Sequence, residues 1–306
     1  MSFKAPTGWN QYYKSVVSKT RLLIKNGIWE EIDELNLNRW LNNFTTDESK
    51  YLSACMLDAL TYRSQKMCHS MMRKILIETV PNYCRKIGIE NFQSISEWKT
   101  LIKSGNPLVR FVPVSISDGR VKSSSVVVRN FIEANDIPQR CVQQTENIER
   151  AIDNGTKLIV FLDDFAGSGF QFNKFMQQKD LGSLNDSVSF LYTPLAAHKA
   201  AIDRIESAHP RIKVLPVEML DEQHEFFNEC QNGFFRGDET NSAEDAKKYY
   251  ENYCTEIFTN SKYLFGMSSQ CLTYSFFFSC PNNNLKALYH DQAPEWKLSL
   301  IHISEP

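Results

Sequence analysis

The sequence predicts an α/β fold, with a parallel sheet behind a helical N-terminal region, and three observations carry that expectation. Apolar residues in the first hundred positions recur at helical spacing. From residue 107 onward, short β-branched and aromatic runs alternate with helical stretches. One of those runs ends in two aspartates and a bend of two glycines and a serine, the strand-to-helix turn of an open parallel sheet.

Residues 9–25 form the first expected helix, with Tyr12, Val16, Leu22 and Ile24 as its apolar members. Thr45-Thr46-Asp47-Glu48 reads as a capping box, the Thr45 hydroxyl taking a free backbone N–H and Glu48 reaching back. Behind it Leu52, Cys55, Met56, Ala59 and Tyr62 make one buried stripe. A third helical stretch, 66–87, is broken near Pro81, whose ring nitrogen donates no hydrogen bond.

Residues 108–114 then read as a strand, Ser117-Asp118-Gly119 as a turn, and 125–133 as a helix capped by Ser123 or Ser124. The run 157–162 is apolar throughout, as a strand covered on both faces should be. A helix over 170–178, a strand over 188–192, a helix over 196–206 and a strand over 212–217 complete the alternation. Strands separated by helices at this spacing imply right-handed crossovers and parallel pairing. The polar segment 221–244 is expected to be a long excursion or lid. The domain boundaries expected from this pass are 1–106 for the helical region and 107–297 for the α/β domain with its C-terminal extension.

Composition excludes several classes. Apolar residues are 42% and charged residues 23%, so neither a disordered chain nor a collagen-like repeat fits. With 34 lysines and arginines against 36 acids, the net charge of −2 argues against a protein that coats nucleic acid. No apolar run approaches the ~20 residues of a spanning helix, so no membrane partner is expected. The first residues, Met1-Ser2-Phe3-Lys4-Ala5-Pro6, lack the apolar stretch of an export signal, and a cytoplasmic location is expected. The eight cysteines include no C-x-x-C pair and read as reduced thiols rather than as disulfides or zinc ligands. No G-x-x-x-x-G-K-[ST] loop is present. The six histidines have no partner at a telling spacing, so a hydrolytic triad is not expected.

The chemistry concentrates in Leu158-Ile-Val-Phe-Leu-Asp163-Asp164-Phe165-Ala166-Gly167-Ser168-Gly169-Phe170-Gln171. Ligands of open α/β sheets sit beyond the carboxyl ends of strands. Gly167 and Gly169 let the backbone turn tightly and approach a ligand, and the N–H groups opening the next helix suit a phosphate. Ser168 adds a hydroxyl. Asp163 and Asp164 would repel a phosphate, but they suit hydroxyl groups, or Mg²⁺ held through water or hydroxyls. A phosphate at one end and a cis-diol a sugar ring away describe a ribose 5-phosphate.

This stretch resembles the signature of type I phosphoribosyltransferases: an apolar strand, two acids, then a small-residue loop. The resemblance implies that Asp163 and Asp164 bind the ribose hydroxyls of phosphoribosyl pyrophosphate. It likewise implies that Gly167, Ser168, Gly169 and Gln171 form the 5′-phosphate loop, with Gln171 where the family usually has threonine. An upstream loop of that family holds the pyrophosphate, which points to Asp118, Gly119, Arg120 and Lys122, or else these residues form a solvated surface loop.

The wider chain is similar to the PRTase-CE group of phosphoribosyltransferase-like proteins associated with bacterial conflict and antiviral defence. Trp40-Leu41-x-x-Phe44, the Leu-Asp-Asp-Phe-x-Gly-Ser-Gly loop, and Ser279-Cys-Pro-Asn-Asn-Asn-Leu285 followed by Trp296 carry that likeness. It implies a parallel-sheet, type I phosphoribosyltransferase-like core, a phosphoribosyl or nucleotide ligand, Mg²⁺ as cofactor and partner proteins of a defence system. The implied reaction is transfer or release of a phosphoribosyl group. The alternatives are a catalytically inactive regulator on the same fold that binds a nucleotide or nucleic acid, and an unrelated Rossmann-like domain with an acidic loop. The loop Pro281-Asn-Asn-Asn284 either lines the acceptor pocket or is a turn. Residues 298–306 depart from the group's pattern, read like a translated sequencing adapter, and are set aside from fold reasoning.

Overall fold

The computed structural model describes residues 3–89, 92–115, 123–181, 187–258, 262–290, 296 and 300–301. In chain order the strands are β1 (Thr61–Arg63), β2 (Val109–Pro113), β3 (Leu158–Ala166), β4 (Ser189–His198), β5 (Ile212–Val214), β6 (Glu218–Leu220) and β7 (Tyr274–Phe276). The helices begin with α1 (Trp9–Lys25), α2 (Glu34–Leu41), α3 (Asp47–Ala59), α4 (Gln65–Lys74), α5 (Val80–Lys86) and α6 (Ile95–Lys103). They continue with α7 (Ser123–Asn135), α8 (Ile148–Asp153), α9 (Phe170–Gln178), α10 (Lys199–Ala208), α11 (Ala243–Ile257) and α12 (Lys286–Tyr289).

The chain folds into two compact units. One takes the residues up to Gln65 together with those from Asp221 onward, and the other is Lys66–Leu220. The helical region expected over 1–106 is therefore divided between the units at residue 65.

In the first unit β1 and β7 pair in parallel, Thr61 opposite Tyr274 and Arg63 opposite Phe276. Its core holds Trp40, Leu52, Met56, Tyr250 and Leu288. The Trp40 indole N–H donates to the Ala287 carbonyl at 2.7 Å, satisfying a buried donor. The cap of α3 is Thr46 rather than Thr45, and Ser49 rather than Glu48 reaches back to it. The segment 221–244 is no lid, because Phe226, Phe227 and Phe235 are buried in this same core. Leu300 and Ile301, within the tail set aside above, are buried there too, and the Ile301 N–H donates to the Leu288 carbonyl. The Asn loop is a turn. Asn284 donates to the carbonyls of Tyr274 and Pro281, and Asn283 to Met267 and Gln270.

The second unit contains a five-stranded parallel sheet in the order β2-β3-β4-β5, with β6 pairing the far end of β4. Val142 forms a further parallel bridge to Phe111 on the outer edge of β2. From β2 the chain therefore travels outward through α7 to Val142, and returns through α8 to β3 on the other flank of β2. Outward and inward right-handed crossovers place their helices on opposite faces. Phe111 meets Phe131 of α7 on one face, with ring centroids 4.8 Å apart. Val112, Ile148 of α8, Phe161, Phe172 of α9 and Ile205 of α10 form the core on the other. The strand order reverses between β2 and β3, and that reversal fixes where a ligand should bind.

Several strand limits differ from those read from sequence. β3 runs to Ala166, so both aspartates lie inside the strand instead of at its end. β4 runs to His198, which takes residues 196–198 out of the expected helix. The strand expected over 212–217 ends at 214, and a further short strand, 218–220, follows it; the two pair successive parts of β4.

Candidate functional site

The site is built where β3 passes into α9. β3 is long because β4 pairs it as far as Ala166 opposite Ala197, and β2 pairs it up to Leu162. Beyond β2, the Val114 N–H still donates to the Leu162 carbonyl at 3.1 Å. The carboxyl ends of β2 and β3 thus leave the sheet side by side at the point of reversal.

Alternation along a strand sends neighbouring side chains to opposite faces. Asp163 shares the face of Phe161, under α9 and α10, while Asp164 points to the face of Leu162. Asp163 is 3% exposed and Asp164 8%. The Asp163 carboxylate accepts the Tyr192 hydroxyl at 2.9 Å through Oδ2 and the Asp164 N–H at 3.1 Å through Oδ1. Burial, and then the charge of Asp164, push the Asp163 carboxyl well above the usual carboxylate range, the Tyr192 hydrogen bond opposing them in part. Burial likewise raises the Tyr192 hydroxyl, with Asp163 adding to the effect. Asp164 Oδ1 accepts the Phe165 N–H at 2.9 Å.

The turn is made by Gly167, Ser168 and Gly169. Gly169 has φ 77°, a left-handed conformation that favours glycine. A Cβ there would also stand 3.1 Å from the Ala201 carbonyl oxygen of α10, so the close approach of the two helices needs glycine a second time. Gly169 is the N-cap of α9, and among the described residues no side chain caps that helix. The Ser168 hydroxyl sits 3.5 Å from the Phe170 N–H, a long contact that leaves it available to a ligand. Gln171 is exposed one residue into the helix.

Asp163, Asp164, Gly167, Ser168 and Gly169 therefore share one strand-turn-helix corner. Asp118, Gly119, Arg120 and Lys122 lie outside the described residues. Among the described residues no group of three or more His, Cys, Asp or Glu is placed to hold a metal ion.

The PRTase-CE family model matches residues 37–299. The chain belongs to the PRTase-CE family. No curated protein matches it. The five-stranded parallel sheet with helices before it agrees with the phosphoribosyltransferase-like fold of this family. Among the described residues of this PRTase-CE protein, no helix is long and apolar enough to cross a membrane.

Two neighbours of the corner were not found from sequence. Arg204 of α10 donates to the Ser168 carbonyl at 2.6 Å and lies over the exposed Phe170 ring, 4.1 Å from its centroid. It brings a positive charge to the loop, and nothing in its helical context marks it. Tyr192 had a signal: a phenol inside an apolar strand needs a polar partner when buried.

Proposed function

We propose that this PRTase-CE protein binds phosphoribosyl pyrophosphate, or a nucleotide built on ribose 5-phosphate, at the β3–α9 corner, and that it transfers or releases the phosphoribosyl group. The observation that carries this reading is the N-terminus of α9, entered through left-handed Gly169, at the strand-order reversal and one three-residue turn beyond a strand bearing an acid pair. Free N–H groups and the helix dipole receive the 5′-phosphate. Arg204 adds positive charge behind the loop, Ser168 and Gln171 supply further donors, and the diol docks beside the acid pair. Arg120 or Lys122, which follow β2 in the chain, would meet the pyrophosphate.

Mg²⁺ fits the donor set through Asp164, a hard oxygen ligand, with the ligand's own oxygens and water completing its shell. When bound it offsets charge on the pyrophosphate. In the transfer, the bond from C1 of the ribose to the pyrophosphate oxygen breaks, and the electron pair leaves with pyrophosphate. A lone pair of the acceptor forms the new bond to C1, and the acceptor's proton passes to solvent. The chain's part is to orient the sugar and to stabilise charge, with no covalent nucleophile required. Family membership supports a place in a bacterial defence system, with its protein partners and in the cytoplasm.

A second reading, binding without turnover, is favoured by one observation: both oxygens of Asp163 are engaged inside the protein. Pyrophosphate release from phosphoribosyl pyrophosphate, measured with Mg²⁺ and a panel of heterocyclic and amine acceptors, separates the two. The first reading expects release that is lost in the Asp163→Asn, Asp164→Asn double variant. Saturable binding without release supports the second, and the absence of both binding and release contradicts both.

A further inference from the structure

Asp163 and Asp164 are neighbours in sequence but not equivalent in place. Asp163 faces the core under α9 and α10, where one carboxylate oxygen accepts from Tyr192 of β4 and the other from the backbone N–H of Asp164. The Tyr192 ring in turn stacks on Phe172, the third residue of α9, with centroids 4.0 Å apart and planes 19° from parallel. One side chain therefore links three things: the central neighbour strand, the peptide that carries Asp164, and, through Tyr192, the first turn of the helix that would receive phosphate. The strand's alternation starts the Asp164 side chain from the opposite face, and its carboxyl still meets that of Asp163 through a side-chain hydrogen bond.

We infer that Asp163 and Tyr192 are positioning residues, which hold the Asp164 peptide and the start of α9 in fixed relation, and that only Asp164 of the acid pair touches the ligand's diol. The inference rests on the ribose-phosphate reading for its ligand, but its positioning half does not. Asp163 reaches a ligand only by abandoning Tyr192, which would strand a buried hydroxyl and loosen the stack on Phe172. An acid pair in which one member is structural also assigns different outcomes to substitutions that look alike in sequence.

Two measurements on the full chain test this. The first is calorimetric binding of phosphoribosyl pyrophosphate with Mg²⁺ to wild type, Asp163→Asn, Asp164→Asn and Tyr192→Phe. An asparagine at 163 keeps both hydrogen bonds, its carbonyl accepting from the Asp164 N–H and its amide donating to the Tyr192 oxygen. Its affinity is expected to stay within about threefold of wild type, while Asp164→Asn loses about tenfold or more. Tyr192→Phe is expected to fall between them. The second, which needs no ligand, is amide hydrogen exchange at Asp164. It is expected to speed up in Asp163→Ala, to stay protected in Asp163→Asn, and to rise in Tyr192→Phe should the alanine variant not fold. Equal losses in the two asparagine variants would overturn the division of roles, and unchanged exchange in Asp163→Ala and Tyr192→Phe would overturn positioning. Failure of the wild type to bind removes the ribose-phosphate reading and the role of Asp164 with it, while exchange still decides the positioning half.

Discussion

The indole N–H of Trp98 donates to the carbonyl oxygen of Leu76 at 2.6 Å, both side chains being buried. Leu76 lies in a π-helical turn, Ile75–Thr79, where the Val80 N–H reaches back to the Ile75 carbonyl, five residues away. The same register would pair Leu76 with Pro81, which has no N–H. Trp98 supplies the donor that proline withholds. Trp98→Phe is expected to cost about 1–3 kcal/mol for the stranded carbonyl. Denaturant unfolding checks it, and Pro81→Ala should recover part of the loss in the Trp98→Phe background.

Gly169→Ala tests the corner itself. The left-handed backbone costs an alanine about 1–2 kcal/mol. The added methyl would also meet the Ala201 carbonyl oxygen at 3.1 Å, so α9 must shift against α10. A lower Tm together with weaker phosphoribosyl pyrophosphate binding is expected, whereas Gly155→Ala, at an open left-handed position, should lower the Tm without touching binding.

The pH dependence of stability follows from Asp163. Its carboxyl titrates higher in the folded protein than in the unfolded chain, chiefly through burial. The folded state thus binds this proton more tightly, and the stability it contributes is full below the unfolded value and is lost as pH rises toward the folded one. Thermal unfolding from about pH 5 to about pH 8 should therefore show Asp163→Asn gaining on wild type as pH rises. Parallel profiles for the two proteins would contradict the assignment.

Thiol reactivity should be uneven. Cys230 is exposed, while Cys55, Cys84, Cys254 and Cys271 are buried and their thiols pushed up to about 12 by that burial. Reactive thiolate is scarce at such sites. An aromatic disulfide reagent is expected to titrate one thiol quickly in the native protein and all eight cysteines in denaturant.

Much of the sheet and its site was legible because periodicity and glycine placement are local signals. The helices over 9–25 and 170–178 and the strand-turn-helix corner follow from spacing alone. Strand ends were not legible. The acid pair reads as the end of the strand until β4 is seen to pair it as far as Ala166, and that pairing is a long-range fact. The join between residues 1–65 and the chain from 221 was invisible for the same reason, since Phe226 and Phe235 are embedded in a polar segment whose composition suggests solvent. The cap of α3 slipped by one residue because Thr45 and Thr46 offer the same hydroxyl, and only the backbone of Thr46, extended at ψ 164°, decides between them. The family likeness identified the acids as a pair. Their separation onto two faces became visible only with the partner strand in place.

The most direct test of the whole account is the backbone amide spectrum of ¹⁵N-labelled protein during titration with phosphoribosyl pyrophosphate and Mg²⁺. Saturable shifts at Gly167, Ser168, Gly169 and Phe170, complete near one equivalent and absent in Asp164→Asn, are the result expected. Amides at the β3–α9 corner that stay unmoved at saturating ligand would contradict it.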